Sequence, residues 1–309
     1  MGALHVVTGA GPVGSTVASQ LAGDGHRVRL LTRSGSGPDH PAIERRAVDV
    51  RDARALRAAV EGAVAVYHCT HAAYTARAWR AELPAAEQTV LQAAPPGAVV
   101  VFPESLYAYT ATGTPFTEDG PRDARGGKRG VRTALLAARA ASPTPTVSVV
   151  ASDLFGPAVR NAHAGERMVP RVLADRRVNV VGSADQPHSF TYAPDYARAM
   201  IAAAARPDLW DTVLHAPTGA PVTQRQLVAA FATAAGTRPR VGTVPSWLFR
   251  VGRAARVGAL AELAETLYQF EAPFVLDSVK SEALLGLSPT PLPEAVAATV
   301  AWWRTQPVA

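Results

Sequence analysis

The first half of the chain alternates short, almost uninterrupted apolar runs with helical segments, and this alternation limits the fold more than any other feature. The apolar runs occupy residues 5–9, 27–32, 64–69, 98–105 and 146–154. Runs that do not alternate with polar residues are typical of parallel strands whose two faces are both covered. We therefore predict an α/β fold with a doubly wound parallel sheet and right-handed crossovers.

The pattern changes after Gly156-Pro157, where helical segments and prolines become more frequent. A strand-like run at 213–217 indicates that the chain returns to the sheet before its end. We predict a dinucleotide-binding domain of residues 1–157, to which residues 187–217 return. A smaller, mostly helical substrate-binding domain of residues 158–186 and 218–309 would then close over the carboxyl ends of the strands.

Composition narrows the possible partners. The 48% hydrophobic and 18% charged residues are an ordinary globular mixture. The net charge of +6 comes from arginines scattered among alanines, since Lys128 and Lys280 are the only lysines, so we expect no nucleic-acid partner. No apolar run approaches the roughly 18 residues that span a bilayer, and the N-terminus lacks the order of a signal peptide. We expect a cytoplasmic protein that acts on a small molecule without a membrane partner; a homodimer remains open.

Cys69 is the only cysteine, which excludes a disulfide within the chain. His68 and His71 lie close to it in sequence, but one cysteine and two histidines on a strand and loop do not make a zinc site. We predict no metal.

The sequence TGAGPVG places Gly9, Gly11 and Gly14 between the first strand and the first helix, with Pro12 and Val13 inside the turn. Glycines at this spacing allow a tight turn, and they let backbone N–H groups approach a pyrophosphate at the helix N-terminus. The next strand begins about 13 residues after Gly14, as a dinucleotide-binding (Rossmann) unit requires. The pattern predicts a nicotinamide cofactor.

The end of the second strand selects between the two nicotinamide cofactors. A carboxylate at this place would bind the ribose 2′-hydroxyl of NAD, whereas an arginine would pair with the 2′-phosphate of NADP. The chain has LLTRSGSG there, with Arg33 and no acid. We predict a preference for NADP(H) with NAD(H) as the alternative, because Arg33 could also be a solvated turn residue.

Several short motifs occur in a familiar order: TGAGPVG, DVRD, VYHCTHAAY, VVVFPESLYAYTATGTPFTEDGP, ASDLFGP and SFTYAPDYARAM. Together they resemble the extended short-chain dehydrogenases/reductases, and more closely their NAD-dependent epimerase/dehydratase branch. The glycine spacing is one residue shorter than is usual in that group. The resemblance implies further cofactor contacts from Asp49, Val50, Thr70 and His71.

The resemblance also implies a catalytic Ser or Thr after the fifth strand and a Tyr-x-x-x-Lys pair on the next helix. Ser105 fills the first place, but RGGKRGVRT offers Lys128 and Arg132 where the pair should stand. We interpret this segment as an altered catalytic centre; both could instead be solvated residues at a helix start. Arg132 cannot donate a proton, because a guanidinium stays protonated, but it can stabilise negative charge. Lys128 could be the acid if like-charge repulsion from Arg132 lowers its pKa. We expect Lys128 to remain solvated instead, since its glycine-rich and arginine-rich neighbours offer few apolar residues to bury it, so that water or the substrate supplies the proton.

Losing a positioned acid costs roughly 10²- to 10⁴-fold in rate. That loss is bearable for a ketone that carries an internal hydrogen bond, whereas the unactivated alcohols of nucleotide sugars need a base. We therefore predict an NAD(P)H-dependent ketoreductase for a bulky, activated ketone, of the kind that tailors aromatic polyketides. The alternatives are a non-catalytic NADP-binding redox sensor and a nucleotide-sugar epimerase or dehydratase. The remaining candidates for the substrate pocket are Tyr107, Tyr109, His188 and Tyr192.

Overall fold

Seven parallel strands form the central sheet of the protein, in a computed structural model that describes residues 2–110, 115–254 and 262–307. In chain order, the strands of the described residues are β1 Leu4–Thr8, β2 Arg27–Thr32, β3 Ile43–Ala47, β4 Ala65–His68, β5 Val99–Ser105, β6 Thr146–Ala151, β7 Asp153–Phe155, β8 Val178–Val181, β9 Phe190–Tyr192, β10 Thr212–His215 and β11 Val241–Val244. The order across the sheet is β10-β6-β5-β4-β1-β2-β3. The predicted doubly wound α/β fold is confirmed.

Helices cover both faces of this sheet. The α-helices whose bounds lie within the described residues are α1 Pro12–Gly23, α2 Ala53–Val60, α3 Ala76–Ala93, α4 Gly127–Ala140, α5 Val169–Leu173, α6 Ala193–Ala204, α7 Gln224–Ala235, α8 Ser246–Ala254, α9 Tyr268–Glu271, α10 Val279–Leu285 and α11 Leu292–Arg304. One apolar core joins α1 and α6 to the sheet, and a second core joins α2 and α3 to its opposite face. Both faces of the strands are therefore buried, which explains why the strand sequences are continuously apolar.

Two helices begin earlier than the sequence pattern predicts. The pattern predicts helices from residues 82 and 133, but α3 begins at Ala76 and α4 begins at Gly127. Thr75 caps α3 by accepting a hydrogen bond from the backbone N–H of Ala78. No local side chain caps α4; its first N–H groups donate to the carboxylate of Glu265, which lies far away in sequence. A helix start that depends on a distant carboxylate cannot be recognised from local sequence.

The remaining elements pack beside the carboxyl ends of β5 and β6. Strands β8 and β11 pair with each other, and so do β7 and β9. A separate apolar core lies among α5, α7 and α11 and includes Phe231 and Trp303. Within the part of the chain that the structure describes, no helix is both long and apolar enough to cross a membrane.

Candidate active site

A cavity of about 600 Å³ opens at the carboxyl ends of β1, β2 and β4. Most of the residues predicted to contact a cofactor line this one cavity: Gly9, Gly11, Arg33, Asp49, Val50, Thr70 and His71. The other three, Pro12, Val13 and Gly14, form the first turn of α1 immediately beside Gly11. The structure thus brings together residues that are separated by more than sixty positions in sequence.

The glycine turn has the shape that a pyrophosphate requires. A Cβ on Gly14 would lie 2.0 Å from the carbonyl oxygen of Gly9, so the turn packs tightly against the helix. A Cβ on Gly11 would have no protein atom within 4 Å, so this backbone is open to a ligand. No side chain caps the first turn of α1, and that turn contains no acidic residue. Free N–H groups at a helix N-terminus attract an anion, so these residues fit a dinucleotide.

Two arginines surround a carboxylate at the far end of the same cavity. Arg51 forms a bidentate ion pair with Asp49, with a shortest distance of 2.7 Å. The hydrogen bonds from Arg51, with a smaller contribution from the charge of Arg33, lower the pKa of the Asp49 carboxyl to about 2. Arg33 and Ser34 complete this end of the cavity. The region therefore combines one ionised carboxylate with two guanidinium groups.

Arg132 lies next to the opposite end of the cavity, where it contacts His71, a residue that lines the cavity. Its Nη2 donates to His71 Nε2 at 2.7 Å, and its Nε lies 3.3 Å from Glu104 Oε1. The guanidinium also lies 4.7 Å from the centre of the Trp79 ring. Burial and the charge of Arg132 lower the pKa of His71, which donates its other ring N–H to the Ala72 carbonyl. Arg132 is thus a fixed positive charge, balanced by a buried carboxylate.

Glu104 belongs to a buried charged network behind this site. Arg139 donates to both Glu87 oxygens at 2.6 and 2.8 Å and to Glu104 Oε2 at 2.9 Å. Glu104 Oε1 also accepts the backbone N–H of Ser105 at 2.8 Å. All three charged side chains are buried. The network therefore holds Ser105 and Arg132 in place from the interior.

Aromatic side chains flank Ser105 at the end of β5. Tyr107 stacks on Trp79 with ring centroids 5.9 Å apart, and its hydroxyl contacts the hydroxyl of Tyr74 at 2.5 Å. Burial raises the pKa of the Tyr74 hydroxyl to about 12 and raises that of Tyr107 further. These phenols stay protonated at neutral pH. The sequence candidate Tyr107 thus lies two residues from Ser105 in an aromatic environment.

Lys128 is turned away from the cofactor cavity and into contact with the last third of the chain. Its Nζ lies 2.7 Å from Glu262 Oε2, 3.4 Å from Glu265 Oε2 and 2.9 Å from the Glu262 carbonyl. The Tyr74 ring covers the ammonium at 4.3 Å. The expectation that Lys128 remains solvated is wrong, because its side chain is 0% exposed. Distant carboxylates, rather than neighbouring apolar residues, bury it.

Replacing Lys128 by alanine is expected to change stability more than turnover. Its ammonium already donates to the Glu262 carboxylate and carbonyl and pairs with Glu265, so proton donation to a substrate would break an ion pair. We expect Lys128→Ala to lower the free energy of unfolding by about 1–3 kcal/mol, since hydrogen bonds to charged groups contribute this much. Turnover should stay within a few-fold. Chemical denaturation and steady-state kinetics measure the two effects.

Lys280, the only other lysine, provides the matched control. It pairs with Asp119 at 2.6 Å, but both side chains are more than half exposed. Lys280→Ala should change stability by less than about 1 kcal/mol, as is usual for exposed pairs. A drop in turnover of about 10² or more in Lys128→Ala would instead identify Lys128 as the general acid.

Tyr109, one of the candidate substrate contacts, lies in the interior of the protein, and its contact with a substrate stays a prediction. It is 1% exposed, and its hydroxyl pairs with His215 Nε2 at 2.8 Å. Its ring packs against Phe116. Tyr192, the last residue of β9, is half-buried and packs against Phe155. Tyr109 follows Tyr107 by two residues, but the 3₁₀ turn over Leu106–Ala108 sends the two rings in different directions.

His188 lies at the junction of β9, β7 and α9, where its Nε2 is 2.8 Å from Asp153 Oδ2. It stacks on Phe270 and Phe274, so it is a buried residue and not an exposed loop side chain. His68 is also buried, where it bonds Thr8 Oγ1 at 2.8 Å. Among the described residues, no group of three His, Cys, Asp or Glu side chains is placed to hold a metal ion.

The family model for the NAD dependent epimerase/dehydratase family matches residues 5–213, which include the whole cofactor cavity and Ser105. The chain belongs to this family. It is therefore an NAD-dependent oxidoreductase-type enzyme of the extended short-chain dehydrogenase/reductase group. No curated protein sequence matches the chain significantly.

Solved structures share the fold over nearly the full length of the chain. The crystal structure of gox2253 is 22% identical, with a TM-score of 0.78 and coverage of 97% of this chain and 98% of that one. UDP-glucuronic acid 4-epimerase from Bacillus cereus in complex with NAD is 16% identical, with a TM-score of 0.76 and the same coverage. UDP-N-acetylglucosamine 4-epimerase from Bacillus cereus is 17% identical, with a TM-score of 0.77 and coverage of 99% and 98%. At these identities the likeness shows the fold alone.

Sequence reasoning did not select several residues in and around this site: Tyr74, Trp79, Glu104, Asp153, Glu262 and Glu265. Glu104 had a usable signal, because a carboxylate inside a buried strand requires a partner. Asp153 follows the end of β6 by two residues, which is also a recognisable place for a functional side chain. Glu262 and Glu265 had no local signal, since their role depends on where a distant helix begins.

Proposed function

We propose that the protein is an NAD(P)H-dependent ketoreductase that acts on a bulky, activated ketone such as an aromatic polyketide. One observation carries this proposal: the two residues of α4 that stand at the places of the Tyr-x-x-x-Lys pair are both engaged with carboxylates. Lys128 pairs with Glu262 and Glu265, and Arg132 pairs with Glu104. Neither is free to remove a proton from an unactivated alcohol, which argues against epimerase or dehydratase chemistry.

The bound nicotinamide would supply hydride for the reduction of the carbonyl carbon. Ser105, at the end of β5, has a hydroxyl that can donate a hydrogen bond to the carbonyl oxygen. Its hydroxyl proton points towards Glu104 Oε1 across a long contact of 3.4 Å, so it must turn from Glu104 to donate to the substrate. Arg132 adds a fixed positive charge that favours a developing negative charge on oxygen, an effect that grows in a site that excludes water. These two groups stabilise the reduced oxygen without supplying its proton.

The aromatic rings near Ser105 support a flat, apolar substrate. Tyr74, Trp79, Tyr107 and Tyr268 lie around the start of α4, where Arg129 also covers the Tyr268 ring at 4.5 Å. Aromatic side chains favour stacking with aromatic ligands.

Arg33 supports NADP(H) over NAD(H), and its replacement tests that preference. We expect Arg33→Ala to weaken NADPH binding by about ten- to hundred-fold, because a charged hydrogen bond contributes about 1–3 kcal/mol. NADH binding should hardly change. Calorimetric titration of both cofactors measures the difference, with Arg27→Ala at the exposed start of β2 as a control. Equal affinities for NADPH and NADH in the unchanged protein would contradict the preference.

A panel of aromatic ketones tests the function itself. The purified protein should consume NADPH with ketones that carry a neighbouring hydroxyl, and chromatography should show the corresponding alcohols. Matched ketones without that hydroxyl should react more slowly if the internal hydrogen bond assists the reduction. Cofactor binding without turnover of any ketone would favour the redox sensor and contradict the proposal.

A second candidate function is nucleotide-sugar epimerisation or dehydration. It is favoured by the substrates named for structures of the same fold, which include UDP-glucuronic acid and UDP-N-acetylglucosamine 4-epimerases. Incubation with NAD and a set of UDP-sugars separates the two candidates. Interconversion of any UDP-sugar without net NADPH consumption would favour the second.

A further inference from the structure

Asp153 and His188 form a buried pair beside the aromatic residues of the site. Asp153 begins β7, two residues beyond the end of β6, and His188 precedes β9, which pairs with β7 in parallel. His188 Nε2 lies 2.8 Å from Asp153 Oδ2, and His188 Nδ1 lies 3.1 Å from the Gln269 carbonyl oxygen. The other ring contacts of His188 are aromatic.

The partners of the two ring nitrogens determine how many protons the pair holds. A backbone carbonyl can only accept, so His188 Nδ1 must donate to Gln269. A carboxylate also only accepts, so the Asp153 contact requires a further proton, either on Nε2 or on the carboxyl itself. Both arrangements contain one proton more than a neutral imidazole beside a carboxylate. The pair therefore stores a proton.

The proton held by the Asp153–His188 pair can leave His188 by one route. The His188 side chain is 2% exposed and lies parallel to the Phe270 ring, with centroids 5.1 Å apart, while Phe274 covers it at 5.2 Å. The Asp153 side chain is 23% exposed. A proton that leaves His188 must therefore pass through the Asp153 carboxyl.

Asp153 faces the same region as the aromatic residues next to Ser105. Ala151, two residues before Asp153, is paired in register with Ser105 on β5, so Asp153 lies at the same edge of the sheet as Ser105. Its charge also adds, less than burial does, to the raised pKa values of Tyr74, Tyr107 and Tyr268. His163, which contacts Gln224, is the other titratable group that faces Asp153. Burial alone would raise the pKa of Asp153, but the hydrogen bond and charge of His188 lower it.

We propose that the Asp153–His188 pair is the proton donor of this enzyme, in the place of the missing tyrosine; this inference rests on the proposed reduction of a ketone. As the carbonyl carbon gains hydride, the C=O π electrons move to oxygen, and that oxygen forms a bond with a proton from the Asp153 carboxyl. The N–H bond at His188 Nε2 breaks and its proton passes to Asp153. The ketone is reduced and the nicotinamide oxidised. Neutral His188 and ionised Asp153 remain, and water returns one proton.

Nitrogen-15 NMR of the histidine rings tests the stored proton without any cofactor or substrate. In the unchanged protein near neutral pH, both nitrogens of His188 should carry protons. A neutral His188 ring beside an ionised carboxylate would overturn the proposal, whatever the activity of the enzyme. The spectrum of a His188→Gln variant assigns the signal.

Steady-state kinetics test the transfer of the proton through Asp153 to the substrate. Asp153→Asn keeps a hydrogen-bond partner for His188 but cannot carry the proton, so turnover should fall by about 10²- to 10⁴-fold. The wild-type rate should decline at high pH as the pair loses its proton, and the variant should lose that decline. His163→Gln, a neighbouring histidine outside the pair, should retain both the rate and the pH profile. A purely structural pair would lower thermal stability and leave the shape of the profile unchanged.

Different results would contradict the proposed function and the proposed proton donor. If the wild-type protein consumes NADPH with no ketone, the proposed function fails, and the NMR signal still reports the protonation of the pair. If ketones are reduced and Asp153→Asn retains wild-type turnover, the proton donor is another group and this inference fails alone.

Discussion

Replacing Arg139 by methionine is expected to lower the free energy of unfolding by about 3–5 kcal/mol, the usual cost of breaking a buried ion pair from one side. The side chains of Arg139, Glu87 and Glu104 are 2%, 7% and 0% exposed. Methionine preserves much of the buried volume but leaves Glu87 without its cation and Glu104 with Arg132 alone. Urea denaturation followed by circular dichroism measures the loss.

The pH dependence of this loss of stability shows whether the unpaired carboxylate causes it. Burial would raise the pKa of Glu87, but the charge and hydrogen bonds of Arg139 outweigh it and lower that pKa. In the wild type, the lowered pKa of Glu87 stabilises the folded protein at pH values above the ordinary pKa of a glutamate. This stabilisation is lost as the pH falls through the pKa that Glu87 has in the folded protein. In Arg139→Met, burial acts alone and protonation relieves the unpaired charge. The stability difference between the two proteins should therefore narrow as the pH falls.

An exposed arginine pair serves as the control for this prediction. Arg225 contacts Asp185 at 2.7 Å, but their side chains are 53% and 64% exposed. Arg225→Met should cost less than about 1 kcal/mol, with little dependence on pH. Equal losses in both variants would show that the buried network contributes no more than a surface ion pair.

Replacing Gly11 by alanine is the second change with a large expected effect. No protein atom lies within 4 Å of the added Cβ, so the fold should accept it. The methyl group would occupy the open face of the turn, where backbone approach to a pyrophosphate requires a glycine. We expect cofactor affinity to fall roughly 100-fold, which corresponds to about 2.7 kcal/mol. The melting temperature without cofactor should stay the same.

Gly23, at the other end of α1, provides the matched control. An added Cβ there also meets no protein atom within 4 Å, but the residue lies away from the cofactor cavity. Gly23→Ala should leave cofactor affinity unchanged and keep or slightly raise stability, because alanine favours helices over glycine. Unchanged affinity in Gly11→Ala would mean that the cofactor does not approach this turn. Calorimetric titration and thermal unfolding separate the outcomes.

Local sequence was sufficient for the fold class and for the grouping of the cofactor candidates. Continuous apolar runs predict parallel strands, and the carboxyl ends of such strands meet at one edge of the sheet, so the loops that follow them come together. Gly9, Arg33, Asp49 and Thr70 follow β1, β2, β3 and β4 in this way and line one cavity. Their use by a cofactor stays a prediction until binding is measured.

The partners of the charged residues depended on the tertiary structure. Lys128 meets Glu262 and Arg139 meets Glu87, pairs that are 134 and 52 residues apart in sequence. Periodicity predicts that a residue lies on a helix and which face it shares, because these properties arise within a few turns of backbone. Whether a charge is buried, and what neutralises it, depends on distant elements that pack against it. Sequence alone therefore determined the sheet, its helices and the glycine turn, whereas folding decided that Lys128 is an ion-paired contact between distant segments and that Asp153 meets His188.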